Sequence, residues 1–164
     1  MFRLLTETSE DVWEIEALLD TAFGPGRTGL SSYRLREGVE PVAALCRIAR
    51  DEFDAVVGAI RCWPVRVGAL PALLLGPVAV HPTRQGEGLG ALLIEEALAR
   101  GAEEGWSRVL LVGDAPYYGR FGFRRDLAAR VNFPPPTNPD RVLARELRPG
   151  AMAGVSGEVT RAVD

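Results

Sequence analysis

The chain has 164 residues, 47% of them hydrophobic and 25% charged, the balance of a soluble globular protein long enough for one core. Its formal net charge is −3, with neither a basic excess nor a clustered basic face, which argues against nucleic acid as a partner. No apolar run is long enough to cross a bilayer, and residues 1–10 hold no basic stretch followed by an apolar one; no membrane partner and no secretion signal are expected, and the expected location is the cytoplasm.

Residues 2–6 alternate as a short strand. Ser9 is the expected cap of a helix with Glu10 and Asp11 in its first turn, near the positive end of the dipole. Val12, Ile15, Leu18, Leu19 and Ala22 then recur at helical spacing. Gly24, Pro25 and Gly26 end that helix and open a flexible stretch, and residues 31–37 suit a second short helix. Residues 45–50 and 55–67 read as two strands around the acidic turn 51–54, with Trp63 and Pro64 bending the second. Residues 73–80 form a strongly apolar strand of the kind found at the centre of a sheet.

A helix is expected over 88–104, with Leu89, Leu92, Leu93 and Ala97 along one face and Gly105 in the left-handed stop position. A buried strand follows at 109–113. Asp114 and Pro116 start a short helix that Gly122 ends. Residues 123–133 and 142–147 are the expected closing strands, joined by the proline-rich loop 134–139, and the chain from about Ala151 reads as weakly ordered. Cys46 and Cys62 match no metal-ligand spacing and read as small apolar side chains. All nineteen basic residues are arginine, so a lysine nucleophile or Schiff base is excluded.

The most informative stretch runs from Gly76 to Gly90. There an apolar strand exits through His81 and Pro82 into Arg84-Gln85-Gly86-Glu87-Gly88-Leu89-Gly90 and a helix. Glycines at alternate positions strip side chains from a helix N-terminus and expose N–H groups that have no helical partner. Donors and dipole then point the same way, a ready site for a diphosphate. The plain alternative is a turn that only packs helix against strand. Gly86, Gly88 and Ala91 also fit the dinucleotide fingerprint G-x-G-x-x-A, but the acidic residue expected about 20 positions on is missing, since Asp114 lies too far along.

Gln85-Gly86-Glu87-Gly88-Leu89-Gly90 resembles the Q/R-x-x-G-x-G/A motif of the GNAT family of N-acetyltransferases. The preceding Val78-Ala79-Val80-His81-Pro82 is similar to that family's central strand and its exit. Tyr117-Tyr118-Gly119-Arg120-Phe121-Gly122-Phe123 is similar to its short C-terminal helix and Y-x-x-x-G-F ending. The three segments stand in the right order, and the resemblance covers most of the chain, from Phe2 to about Gly150. It implies a single α/β (α+β) domain over residues 1–164. The implied fold has a mixed, mostly antiparallel sheet of six to seven strands flanked by about four helices. That sheet is splayed between the strand from Leu73 to Val80 and the strand from Val109 to Gly113.

The resemblance further implies acetyl-CoA as the cofactor. The N–H groups from Gln85 to Gly90 would take its pyrophosphate, with Glu87, Leu89, Ala91 and Tyr118 also among the cofactor-binding residues. Val78, Ala79 and Val80 would pair with the pantetheine arm, and an N–H near Val80 would polarise the thioester carbonyl. Arg84 is either a phosphate ligand or a solvated loop arginine.

Tyr118, four residues before Gly122, stands where the family places the tyrosine that protonates the departing CoA thiolate. Helical geometry agrees: Tyr117 and Phe121 share a face, and Tyr118 lies about 100° round from Tyr117. Tyr118 can then enter the splay while Tyr117 faces the core; the alternative makes both of them core aromatics. No residue stands out as the base, and His81 reads better as a loop residue. The implied reaction is direct acetyl transfer to a primary amine of a small molecule or a protein, the alternative being an acyl-CoA sensor without turnover. The acceptor would lie among residues 23–33, 61–64 and 132–138. Arg61 and Trp63 there either hold a carboxylate or flat group, or serve as a strand arginine and a core tryptophan. The family also admits a homodimer.

Overall fold

A computed structural model describes residues 2–24, 26–27 and 31–162. Pro25, expected at the end of the first helix, lies outside the described residues, as do Thr28, Gly29 and Leu30. The described elements are strands β1 (Arg3–Thr6), β2 (Arg47–Arg50), β3 (Val56–Val67), β4 (Leu70–Val80), β5 (Arg108–Val112), β6 (Val131–Asn132), β7 (Val142–Glu146) and β8 (Gly157–Arg161). The α-helices are α1 (Val12–Phe23), α2 (Ser31–Arg34), α3 (Leu89–Glu103) and α4 (Ala115–Tyr118).

The strands join in the order β1-β2-β3-β4-β5-β7, with β8 on β3 and β6 on β8, so the sheet has eight strands instead of the expected six to seven. The pairs are antiparallel except β4–β5 and β6–β8. The extra strand is the chain end that composition marked as weakly ordered. β8 pairs Arg161, Thr160 and Val159 with Val65, Arg66 and Val67, the end of β3 that β2 does not reach. Met152, Val155 and Val159 are buried there, and that burial stabilises the segment.

Residues 123–133, expected as a strand, yield one bridge from Arg124 to Ala144, a 3₁₀ turn at Asp126–Ala128 and the two residues of β6. The helix cap is also displaced. Asp11 accepts hydrogen bonds from the Thr8 N–H at 2.8 Å and the Thr8 hydroxyl at 3.1 Å, so Thr8 opens the turn, one residue before Ser9.

α3 packs on one face of the sheet because Leu89, Leu93, Ile94, Ala97 and Leu98 recur at helical spacing and are buried. Gly105, at φ +92°, closes it, and the Trp106 N–H bonds back to the Gly101 carbonyl at 3.0 Å. α1 covers the opposite face near Ile48, Val56, Ala59 and Ala79.

The centre of the sheet opens. β4 pairs with β5 only at Leu73↔Val109 and Leu74↔Leu110, although β4 continues to Val80. The cause lies in β4. Its register against β3 slips by one residue between Cys62↔Leu75 and Ile60↔Val78, which leaves Gly76 and Pro77 opposite Arg61 alone. Such a bulge bends the strand, and Pro77 has no N–H for a ladder. The bend therefore sits at Gly76 and Pro77, not at Trp63 and Pro64, which stay in register with Leu74 and Leu73. No helix among the described residues is long and apolar enough to cross a membrane.

Candidate functional site

Two cavities meet at the splay. The first, of about 530 Å³, is lined by every residue expected at the cofactor site except Ala79 and Glu87, together with Tyr117 and Arg120. The second, of about 150 Å³, lies between α2 and the inner ends of β4 and β5. Val78 and Tyr118 line both, so they form the partition between them.

The floor of the first cavity is main chain. Gly86 and Gly88 hold φ values of +87° and +79°, and a Cβ at either would stand in open space, with nothing within 4 Å. Only glycine adopts this conformation without strain, and it leaves the backbone accessible. The first bond of α3 runs from the Leu92 N–H to the Gly88 carbonyl at 3.1 Å, so the N–H groups of residues 89–91 precede the ladder. They point, with the helix dipole, out of the helix end.

The strand wall is also open. The His81 N–H bonds to Val57 of the β3 side at 2.8 Å. Successive amides of a strand alternate in direction, so the N–H groups of Val78 and Val80 face away from β3, toward the gap β5 has left. Ala79 is buried against the α1 side, which explains its absence from the cavity.

Arg84 lines the cavity, but its charge is engaged. Its guanidinium lies 3.0 Å from Asp51, 2.6 Å from Glu52 and 3.8 Å from Glu87. The acidic turn carries Asp51 and Glu52 there, and Asp51 also accepts the Phe53 and Ala55 N–H groups at 2.9 and 3.0 Å. Burial alone would push the Asp51 carboxyl up; the Ala55 N–H and Arg84 outweigh that and hold it below the usual range.

Tyr118 fills the wedge between the strands. A Cβ on Gly113 would stand 2.5 Å from its Cε2, so the ring takes the space a side chain would need. Its hydroxyl makes no hydrogen bond among the described residues. Burial pushes the phenol above its ordinary pKa, Tyr117 and Asp114 add to the rise, and Arg141 opposes it. Tyr117 packs against the core as expected and also borders the first cavity. Its ring meets Tyr118 edge-on at 5.0 Å and Phe121 at 5.5 Å, and its hydroxyl would be 3.2 Å from a Cβ on Gly90. Asp114 caps α4 by accepting the Tyr117 N–H at 3.3 Å, and the Tyr117 hydroxyl comes to the Gly90 side of α3.

Gly113→Ala is expected to cost about 1–3 kcal/mol of stability by overpacking this wedge. Thermal unfolding checks it, with Tm falling by about 2–4 °C per kcal/mol for a chain of this size.

The acceptor-side residues named from sequence are placed elsewhere. Neither Arg61 nor Trp63 lines either of these two cavities. Arg61 is held by Glu7 at 2.8 Å and Glu16 at 3.2 Å. Trp63 donates its indole N–H to the Gly76 carbonyl at 3.0 Å and supports the bulge. The chain near 132–138 stands outside too, reached from α2 by Arg34, which donates to the Pro135 carbonyl at 2.8 Å. Of residues 23–33, Phe23, Arg27, Ser32 and Tyr33 do line the second cavity, while Thr28, Gly29 and Leu30 lie outside the described residues. Arg36, which sequence reasoning did not single out, joins them. Its local neighbours, Ser32 and Tyr33, give it no counter-charge, and only the fold brings Trp63 of β3 over it. His81 bonds to Thr83 at 2.8 Å in the exit loop. Cys46 and Cys62 are buried free thiols.

A profile of the acetyltransferase (GNAT) domain matches residues 43–125. The Escherichia coli (strain K12) protein YhbS, described as an uncharacterized N-acetyltransferase, is 32% identical over 151 residues, covering 88% of this chain and 87% of its own length. The crystal structure of E. coli YhbS in complex with CoA superposes with a TM-score of 0.83 and 27% identity, covering 98% of this chain and 89% of that one. A GNAT family acetyltransferase from Brucella melitensis in complex with acetyl-CoA gives 0.74 and 27%, covering 98% and 95%.

Proposed function

The chain belongs to the GNAT family of acetyltransferases, and on that premise we propose that it moves the acetyl group of acetyl-CoA directly to a primary amine of a small molecule or protein. We read residues 1–164 as one catalytic domain. The observation that carries the reading is the partition. One side chain able to give up a proton, Tyr118, stands where a side-chain-free anion cradle meets a second, smaller cavity.

The residues present fit CoA. Gly86 and Gly88 leave open space where side chains would stand, so a diphosphate can approach the main chain. Homologues of known structure hold CoA and acetyl-CoA. Bound here, acetyl-CoA would supply the activated acyl group. The N–H groups from Gln85 to Gly90 bind the diphosphate, and the β4 edge at Val78 and Val80 offers donors to the amide-bearing arm. The Val80 amide stabilises negative charge on the thioester oxygen. Tyr118 keeps its proton at Oη and gives it to the departing sulfur. Burial raises the proton affinity of phenol and thiolate alike, so the transfer stays close to balance despite their ordinary values of about 10 and 8.5. Arg84, already balanced by acids, contributes to the shape of the turn more than to charge.

An alkylammonium must lose a proton before it attacks, at a cost of roughly 4–5 kcal/mol at pH 7. No carboxylate or imidazole lines either cavity among the described residues, and the reading assigns that step to water. The same observation favours one second reading, an acyl-CoA-binding sensor without turnover. Thiol release from acetyl-CoA across a panel of primary amines separates them. Transfer requires release that depends on the amine; CoA binding with no release for any amine would establish the sensor.

A further inference from the structure

The second cavity contains a guanidinium that the fold does not neutralise. Three arginines converge near it. Arg27 is paired with Glu16 at 2.9 Å and Asp20 at 3.0 Å, and donates to the Tyr33 hydroxyl at 2.6 Å. Arg61 is paired with Glu7 and Glu16. Arg36 has no carboxylate within ion-pair distance among the described residues. Its Nε–H is buried and without an acceptor, and Nη2 reaches only the Ser32 hydroxyl at 3.4 Å. What holds it is stacking: its Cζ lies 4.1 Å from the Tyr33 ring centroid and 5.5 Å from that of Trp63. Burial, opposed by Tyr33 and aided by Arg61 and Arg27, pushes this guanidinium down to about 10, so it remains charged at neutral pH.

A buried charge without a counter-charge is costly, and an arginine fork matches a carboxylate through two parallel hydrogen bonds. The rings of Tyr33 and Trp63 hold the fork in place, which reduces the entropy lost on binding. The rest of the lining, from Leu74 and Leu75 through Pro77 and Val78 to Leu111 and Val112, is apolar. The volume, about 150 Å³, is half the lower end of about 300 Å³ usual for small-molecule pockets. One uncovered guanidinium suits a singly charged anion better than a phosphate ester.

From this arrangement we infer that the acceptor is a small primary amine that also carries a carboxylate, with Arg36 as its anchor. The inference rests on the transfer reading above and specifies the acceptor. The carboxylate sits on the Arg36 fork, the short apolar body lies against Leu74, Leu111 and Val112, and the amine is directed to the partition at Val78 and Tyr118.

The test measures thiol release from acetyl-CoA with the standard L-amino acids, β-alanine and γ-aminobutyrate, each against its primary amide. The amide keeps the amine and the size and removes the anion. At least one acid is expected to exceed its amide in kcat/KM by about 10–100-fold, the range of a hydrogen bond to a charged group. Arg36→Met is expected to collapse that preference to near unity, through KM for the acid more than through kcat. Arg36→Lys, which keeps the charge and loses the fork, should fall between, and it serves if the methionine variant does not fold. Amides used as well as acids, or a preference that survives Arg36→Met, would overturn the inference. So would acetylation confined to amines without a carboxylate, although transfer itself would then stand. Absence of release with every amine, in protein that binds CoA, overturns the transfer reading and this inference with it.

Discussion

Gly88→Val is expected to weaken CoA binding by about a hundredfold or more. Two effects act together. A valine at φ +79° is a conformational outlier, at roughly 1–2 kcal/mol for a left-handed L-residue. Its side chain would also project into the open space above the first turn of α3, where a phosphate oxygen has to approach. Loss of two amide bonds to a charged group, at about 1.5–3 kcal/mol each, already amounts to more than a hundredfold. Gly90→Val separates the two effects. Gly90 is an ordinary helical residue, and its added Cβ would stand 3.2 Å from the Tyr117 hydroxyl and 3.6 Å from Val80 Cγ2. The backbone stays relaxed while the cavity narrows. Calorimetric titration with CoA measures both variants, and thermal unfolding reports whether each is folded. Unchanged affinity in a folded Gly90→Val protein would remove the cradle as the binding site.

Tyr118→Phe is expected to lower kcat by about a hundredfold, within the range of one positioned acid, and to leave CoA affinity within about threefold. The ring that fills the wedge over Gly113 is retained, so the packing survives and only the proton is lost. The pH dependence carries a sign. A general acid works while protonated, and the Tyr118 phenol is pushed above its ordinary value of 10.0. Activity that depends on it is therefore complete through neutral pH and falls only as pH rises past 10. The phenylalanine variant should lack that alkaline fall. A variant with full kcat would place the proton source elsewhere, and Tyr117, whose ring stands edge-on 5.0 Å away, would be the next to test.

What was readable in the chain and what was not divides along a physical line. The cradle was legible because its chemistry is local. Gly86, Gly88 and Gly90 lie on one turn, and the helix that follows supplies its own unpaired amides and its own dipole. Tyr118 was legible for the same reason: Asp114, Pro116 and Gly122 fix the limits of its helix, and the spacing from Tyr117 fixes its direction. That Tyr117, packed on the core and on Phe121 as expected, also borders the cavity was not legible, because that depends on α3, contributed by an earlier part of the chain.

Trp63 and Pro64 look like breakers and point to a bend in β3, whereas the extra residue of the bulge is in the partner strand, β4. A register slip is a property of two strands, and neither alone specifies it. β8 was missed because its five residues alternate weakly and acquire their burial only from β3 and β6.

Arg61 shows the same limit in the candidate site. In sequence it is an arginine on a central strand beside a tryptophan; in space Glu7 and Glu16, 54 and 45 positions away, neutralise it. At the second cavity, the guanidinium without a carboxylate partner among the described residues is Arg36.

The order of residues alone determined the glycine turn with its unpaired amides, the two tyrosines on their short helix, the apolar central strand and, through them, the family. Those features depend on dihedral preference, helix periodicity and unpaired amides, all settled within a few residues. Only the tertiary structure decided where the sheet opens, that Arg36 at the second cavity has no carboxylate among the described residues and that the two cavities share one wall. Charge balance and register are sums over segments distant in sequence, and they take a value only once the chain has brought those segments together.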